Sequence, residues 1–443
     1  MKRLVPVAVF YSVFLASVQS GAYADSPLPY QSPDIHLGVT SCAGSTCHGS
    51  TIERNSNVEQ NEYLVWSDDE EPDLHFIAYD VLFSEESVKI ASNLGLESAH
   101  TAEVCLACHT DYVAEAARGE KYTMEDGVGC EACHGGGENY LEPHYKQDAT
   151  HQGNLELGLY PTEDPAARAE LCLSCHFGNE DKFVTHRIMG AGHPRLSFEL
   201  DTFTADQPAH YFIDDDYEQR KRFWNAVQTW AIGQTIAARH LVDAIGAGGR
   251  TGLFPELTLF DCHSCHHSMS DLRWRSKDKV PLAPGSLRLN DAHLLMTYQL
   301  SRIAAPDLTD AMRDGIRSLH QATQESQSAL QGAADNMNGL LDQISSRLAE
   351  HSFNPDDMYR MINGLADDGM RGEYSDFASA EQTLMAIGSI LAALEEADAF
   401  DEKRGDTLFS ALDTVFNTLS DEDKFTQAAF QEALMSFMQV VGS

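Results

Sequence analysis

The ten cysteines of this 443-residue chain fall into five close pairs, and each pair is followed at once by a histidine. Four read CLACH (Cys105, Cys108, His109), CEACH (Cys130, Cys133, His134), CLSCH (Cys172, Cys175, His176) and CHSCH (Cys262, Cys265, His266). Two thiols at that spacing can reach two vinyl groups of one porphyrin as thioethers, while the next residue offers an imidazole to the metal from the same side. This is the attachment pattern of haem c. The fifth pair lies in SCAGSTCHG, where Cys42 and Cys47 are separated by four residues and followed by His48 and Gly49. The two extra residues can loop outward without moving the sulfurs, so it reads as the same site with a longer arch. With 19 histidines in the chain, five of five pairs meeting a histidine by chance is on the order of one in several million. Zinc would require pairs to share metals and leaves the trailing histidine unexplained. Structural disulfides suit a secreted chain, but adjacent CxxC thiols seldom form them. The expected cofactors are therefore five covalently bound haem c groups.

The remaining histidines are the supply of second axial ligands, and the axial set separates an electron relay from a catalytic centre. Local context favours His144, which follows CEACHGGGENYLEPH; His186 and His193, in THRIMGAGHPRL; His75, in DLHFIAY; and His210, in QPAHYF. A glycine-rich turn after His134 would let the backbone pass close to a porphyrin. His240 and His293 are reserves on expected helices, and His36, His100, His151, His263 and His267 rank below them. His320 and His351 read as solvent-facing, and Met189 is the one methionine to watch as a ligand. Supply exceeds need, which points to electron transfer. The competing reading is oxidation or reduction of a small nitrogen or sulfur compound at one open iron. It would draw proton donors from neighbours such as Arg187 and Arg195. No CxxCK variant of the motif is present.

The chain carries 68 acidic against 30 basic residues, a formal charge of −38. Such a surface repels nucleic acid and can steer a basic partner towards it, or simply keep the chain in solution. At the N-terminus, Lys2 and Arg3, an apolar run Leu4–Val18 and Ala22-Tyr23-Ala24 read as a cleavable secretory signal over residues 1–24. The expected location is the periplasm or another extracytoplasmic compartment. No later segment reads as long and apolar enough to span a bilayer.

The positioning elements read as mainly α. All cysteines lie before residue 267, so residues 25–283 are expected to form one unit packed around porphyrins, with little strand and short helices carrying the motifs. A long helix is expected over Asp216–Ile245, from Phe223, Val227, Trp230, Gln234, Ala238, Leu241 and Ile245 at steps of three and four. Trp224 and Trp230 read as core residues before haem-edge ones. PLAPGS (Pro281–Ser286) marks a boundary, and residues 284–443 read as a haem-free helical bundle. Within it, Asn354-Pro355 starts one helix, Ser379 with Gln382 forms a capping box for another, and Phe430, Leu434, Phe437 and Val441 line the last. The bundle is a candidate surface for docking a partner or a second copy of the chain, and stabilisation of the haem unit explains it equally well.

Taken in order, Cys42–His48, Trp66 with His75, Cys105–His109, GVGCEACHGGG (Gly127–Gly137) with His144, and Cys172–His176 resemble the tetrahaem cytochromes c that accept electrons from hydroxylamine oxidoreductase. The resemblance covers roughly residues 36–180. It implies closely stacked haem pairs in a helical frame. It also implies that His144 ligates the first haem and His75 the third, with a five-coordinate haem at His109. The stretched first site, the added fifth site and the long C-terminal region depart from that pattern. The function expected is a multihaem, mostly bis-histidine electron carrier serving redox protein partners, basic or membrane-bound.

Overall fold

The computed structural model describes residues 26–52, 60–211, 213, 217, 221–247, 255–266, 277, 280–283 and 286–442. The expected leader and His267 lie outside them. Among the described residues the chain is helical, and strand pairing amounts to two isolated bridges, His36 with Arg118 and Phe260 with Leu289.

The N-terminal part is built from short helices: α1 (Glu62–Trp66), α2 (Glu85–Leu94), α3 (Glu103–His109), α4 (Cys130–His134), α5 (His151–Glu156), α6 (Pro165–His176), α7 (His186–Gly190) and α8 (Leu200–Asp206). Three of them end on a motif histidine, as expected: α3, α4 and α6. The other two motifs sit on tighter turns, with a short 3-10 segment over Cys262–Ser264 and no helix across Cys42–His48. Side-chain cores here are small. One gathers Leu82, Ala91, Ala99 and Leu106, and another Tyr160, Ala167 and Leu171.

Helix α9 (Ala226–Gly246) begins later than the apolar periodicity suggests. Asn225 stops it from extending backwards: its side chain accepts the Gln228 N–H as an N-cap, and Phe223 is left exposed. Trp230 is wholly buried. Helix α9 packs on α6 and α8 on one side and on the C-terminal helices on the other. Those are α10 (Ala292–Ala304), α11 (Thr309–Ala322), α12 (Gln327–Glu350), α13 (Pro355–Arg371), α14 (Phe377–Glu396), α15 (Glu402–Phe416) and α16 (Gln427–Val441). One continuous apolar core runs through them, from Val227 to Phe437.

Helix α13 starts as the sequence suggests, with Asn354 accepting from Asp357 N and Pro355 in the first turn. Helix α14 starts earlier than the Ser379–Gln382 pattern suggests. Asp376 is its N-cap and accepts from Ser379 N, while Gln382 is spent on Gln234 and the Phe198 carbonyl. That helix also corrects the reading that no later segment could span a bilayer. By length and composition Phe377–Glu396 can, but 78% of its apolar stretch is buried inside the protein, which makes it a core helix. His320, expected in solvent, is fully buried. Its Nδ1 donates to Ile316 O and its Nε2 faces Asp291 across 3.5 Å.

Candidate functional site

Four of the five motif histidines have a second imidazole set opposite them. His48 faces His144 with 6.1 Å between ring centres, His75 faces His176 at 6.2 Å, His134 faces His210 at 6.3 Å, and His186 faces His266 at 6.2 Å. A metal bonded to an imidazole nitrogen on each side at about 2.0 Å, with each ring centre roughly 1.1 Å further out, needs about 6.2 Å between centres. For the fifth motif histidine, His109, Nδ1 faces the Ala78 carbonyl at 2.9 Å, and His193 is the candidate left from the sequence.

The ring nitrogens are oriented for this use. In His48, Nδ1 faces Glu62 Oε2 at 3.1 Å, and in His75 it faces Asp73 Oδ1 at 3.0 Å. In His109, His144 and His193 it faces the carbonyls of Ala78, Leu141 and Pro194. An acceptor on Nδ1 fixes the tautomer and leaves the Nε2 lone pair for a metal. Burial lowers the His109 and His176 pKa values, and burial followed by His210 lowers that of His134 to about 4. These rings are neutral at neutral pH, as ligation requires. The reserve candidates are engaged otherwise. His240 and His351 direct Nε2 at Glu170 and Asp357, and His151 directs its Nε2 at Glu163. Nδ1 of His293 meets Gln234, that of the buried His36 meets Asp111, and His100 stacks on Phe83.

The pairing differs in one respect from what the resemblance implies. His144 does lie opposite the first motif, but His75 lies opposite His176 of the fourth motif, not His134 of the third. The reason is local. Asp73 holds the His75 ring and backbone N–H, and the Val128 N–H bonds the His75 carbonyl. Gly127, with φ +67°, passes so close to the carbonyls of His75 and Phe76 that a Cβ would lie 2.6 Å from each oxygen. The glycines around the third motif thus serve close backbone crossings. Gly135 does the same against the Gly158 carbonyl.

The motifs touch one another. Glu131, inside the third motif, accepts the N–H groups of Leu37, Gly38 and Gly137, each at 2.7 Å, and so ties the third motif to the segment entering the first. Cys133 packs against the cluster holding Ala167 and Leu171, on the helix that carries the fourth motif. Lys182 Nζ donates to both Ala107 O (3.1 Å) and Cys175 Sγ (3.0 Å) beneath the ring of Tyr30, and so bridges the second and fourth motifs. Composition gave no signal for Glu131 or Lys182, because each acts on a motif distant in sequence. The Asp73-x-His75 spacing was a readable one.

The chain fits haem by a further observation. Apart from Leu287, Phe416 and Met435, the large apolar side chains exposed among the described residues lie between Ile52 and Phe223. Leu74 and Ile52 are about three-quarters exposed, at 76% and 75%. Apolar surface concentrated where the side-chain cores are smallest marks walls meant to be covered, and porphyrin faces are apolar. No cysteine is in a disulfide. Among the described residues no group of three or more His, Cys, Asp or Glu side chains is placed to hold a bare metal ion.

Residues 41–135 match the protein family described as cytochrome c554 and c-prime. That part of the chain is a cytochrome c-like segment, with covalently bound haem c and electron transfer as its chemistry. No curated protein and no solved structure matches the chain.

Proposed function

We propose that the protein is an extracytoplasmic carrier of electrons with five haem c groups, at least four of them held between two histidines. The observation that carries this is the set of four ring pairs at 6.1 to 6.3 Å. Haem c supplies one-electron redox chemistry when bound. The cysteine pairs Cys42/Cys47, Cys105/Cys108, Cys130/Cys133, Cys172/Cys175 and Cys262/Cys265 tether it. His48, His134, His176 and His266 would hold the iron from one side and His144, His210, His75 and His186 from the other, with His109 and His193 as the fifth pair. An iron held by two imidazoles would not take up small ligands, which suits transfer between redox protein partners. Glu62 and Asp73 hold ring orientation through Nδ1 and make His48 and His75 stronger donors.

Catalysis on a small nitrogen or sulfur compound is less well supported. It needs a free proton donor beside an open site, and the two arginines suited by sequence are committed. Arg187 donates to Leu94 O, and Arg195 pairs with Glu381 and Glu422. The test is the intact mass of the secreted protein together with low-temperature EPR. Five added porphyrins and at least four low-spin bis-imidazole irons are expected. A mass short of five, or high-spin iron that binds nitrite or cyanide, overturns the reading.

A further inference from the structure

The fourth and fifth motifs lie outside the matched residues 41–135. The contacts between sites form a single line. The first and third are joined by Glu131, which accepts the Leu37 and Gly38 N–H groups. The third and fourth are joined where Cys133 packs beside Leu171. The fourth and second meet at Lys182, which donates to Ala107 O of the second motif and Cys175 Sγ of the fourth.

The second and fifth sites share one short segment. Helix α7 opens on His186, opposite His266, and the turn after it, through Gly192 at φ +122°, carries His193, the second ligand proposed for the His109 site. The helical steps to Gly190 advance about 6 Å and the three that follow at most about 11 Å, so the two ligands lie within about 17 Å of one another along the backbone. The segment is fastened to α2, which leads into the second motif, by Asn93 Nδ2 to Ala191 O (2.8 Å) and Arg187 to Leu94 O (3.0 Å). At the two ends of this line, Cys47 and Cys265 are exposed, while the other cysteines are half-buried.

We infer that electrons cross the protein through the sites in the order first, third, fourth, second, fifth, with the second an interior relay and the exposed first and fifth sites the two ports. One electron is taken from a reduced one-electron redox protein at one port and given to an oxidised one at the other. Each site is reduced and reoxidised in turn, and no bond forms or breaks. This rests on the five-haem reading above.

The experiment is EPR-monitored redox titration of the holoprotein, with the second-site signal identified by its change in His193→Met. In Cys262→Ala/Cys265→Ala, which lacks the fifth haem, the second-site signal is expected to lose the part of its magnetic coupling that comes from the fifth and to sharpen, while the first-site signal is unchanged. A second-site signal identical with and without the fifth haem overturns the order, as does a change confined to the first or third site. Should that double variant not fold, His186→Met keeps five haems and raises the fifth potential. The second-site midpoint is then expected to shift with it, and an unmoved midpoint overturns the proposal. A wild-type mass below five haems would instead sink the underlying reading.

Discussion

The imidazoles of His48 and His144 lie nearly parallel, at 11°, while those of His75 and His176 are almost perpendicular, at 87°. His134 and His210 are also perpendicular, at 88°, and His186 and His266 are inclined by 30°. Parallel rings act on the same metal orbital and separate it from its partner. Perpendicular rings act on both alike and leave them nearly equal, which gives large magnetic anisotropy. The first and fifth sites should therefore show ordinary rhombic low-spin EPR signals, and the third and fourth highly anisotropic ones. His144→Met should remove a rhombic signal and His210→Met an anisotropic one; the reverse would contradict the ring geometry.

Lys182 places a cation between the second and fourth motifs of an otherwise acidic protein. A positive charge there favours the reduced site. Lys182→Gln should lower both potentials by on the order of tens of millivolts, and Lys182→Arg should restore them. Spectroelectrochemistry reads the shift, and potentials unchanged in Lys182→Gln would remove the tuning role.

Arg195 fastens the segment after His193 to the bundle, pairing with Glu381 and Glu422 over the ring of Phe377. Arg195→Met should cost about 1–3 kcal/mol of stability in chemical denaturation. It should also broaden the second-site EPR signal as His193 loses its anchor. A stability loss with an unaltered signal would make the clamp purely structural.

Asp201, in the first turn of α8, has its carboxyl pushed up to about 7 by burial and by Glu199. Raised from 3.8, it favours the protonated form in the folded state. Folding is therefore penalised progressively as pH climbs from about 4 to 7. Asp201→Asn should stabilise the protein by on the order of 1–3 kcal/mol at pH 8 and hardly at all at pH 4. Denaturant midpoints at the two pH values measure this, and equal gains at both would refute it.

The motifs could be read from the chain because thioether chemistry fixes Cys and His within a few residues. Which ring faces which could not, since His75 and His176 are distant in sequence and meet only in the folded chain. Helix starts were legible where the cap is adjacent, as at Asn354-Pro355. They were misjudged where an apolar stripe ran past the cap at Asn225, or where Ser379 mimicked a cap three residues inside Asp376. His320 looked solvent-facing because its buried partner Asp291 becomes a neighbour only after α10 and α11 pack together.

The contrast between one large core from Val227 to Phe437 and small scattered ones before it bears on maturation. The C-terminal helices can consolidate by side-chain burial alone, whereas the cysteine-rich half lacks enough apolar contact to close by itself. Its thiols therefore stay within reach until porphyrin is joined to them, and closure of that half should wait on cofactor attachment.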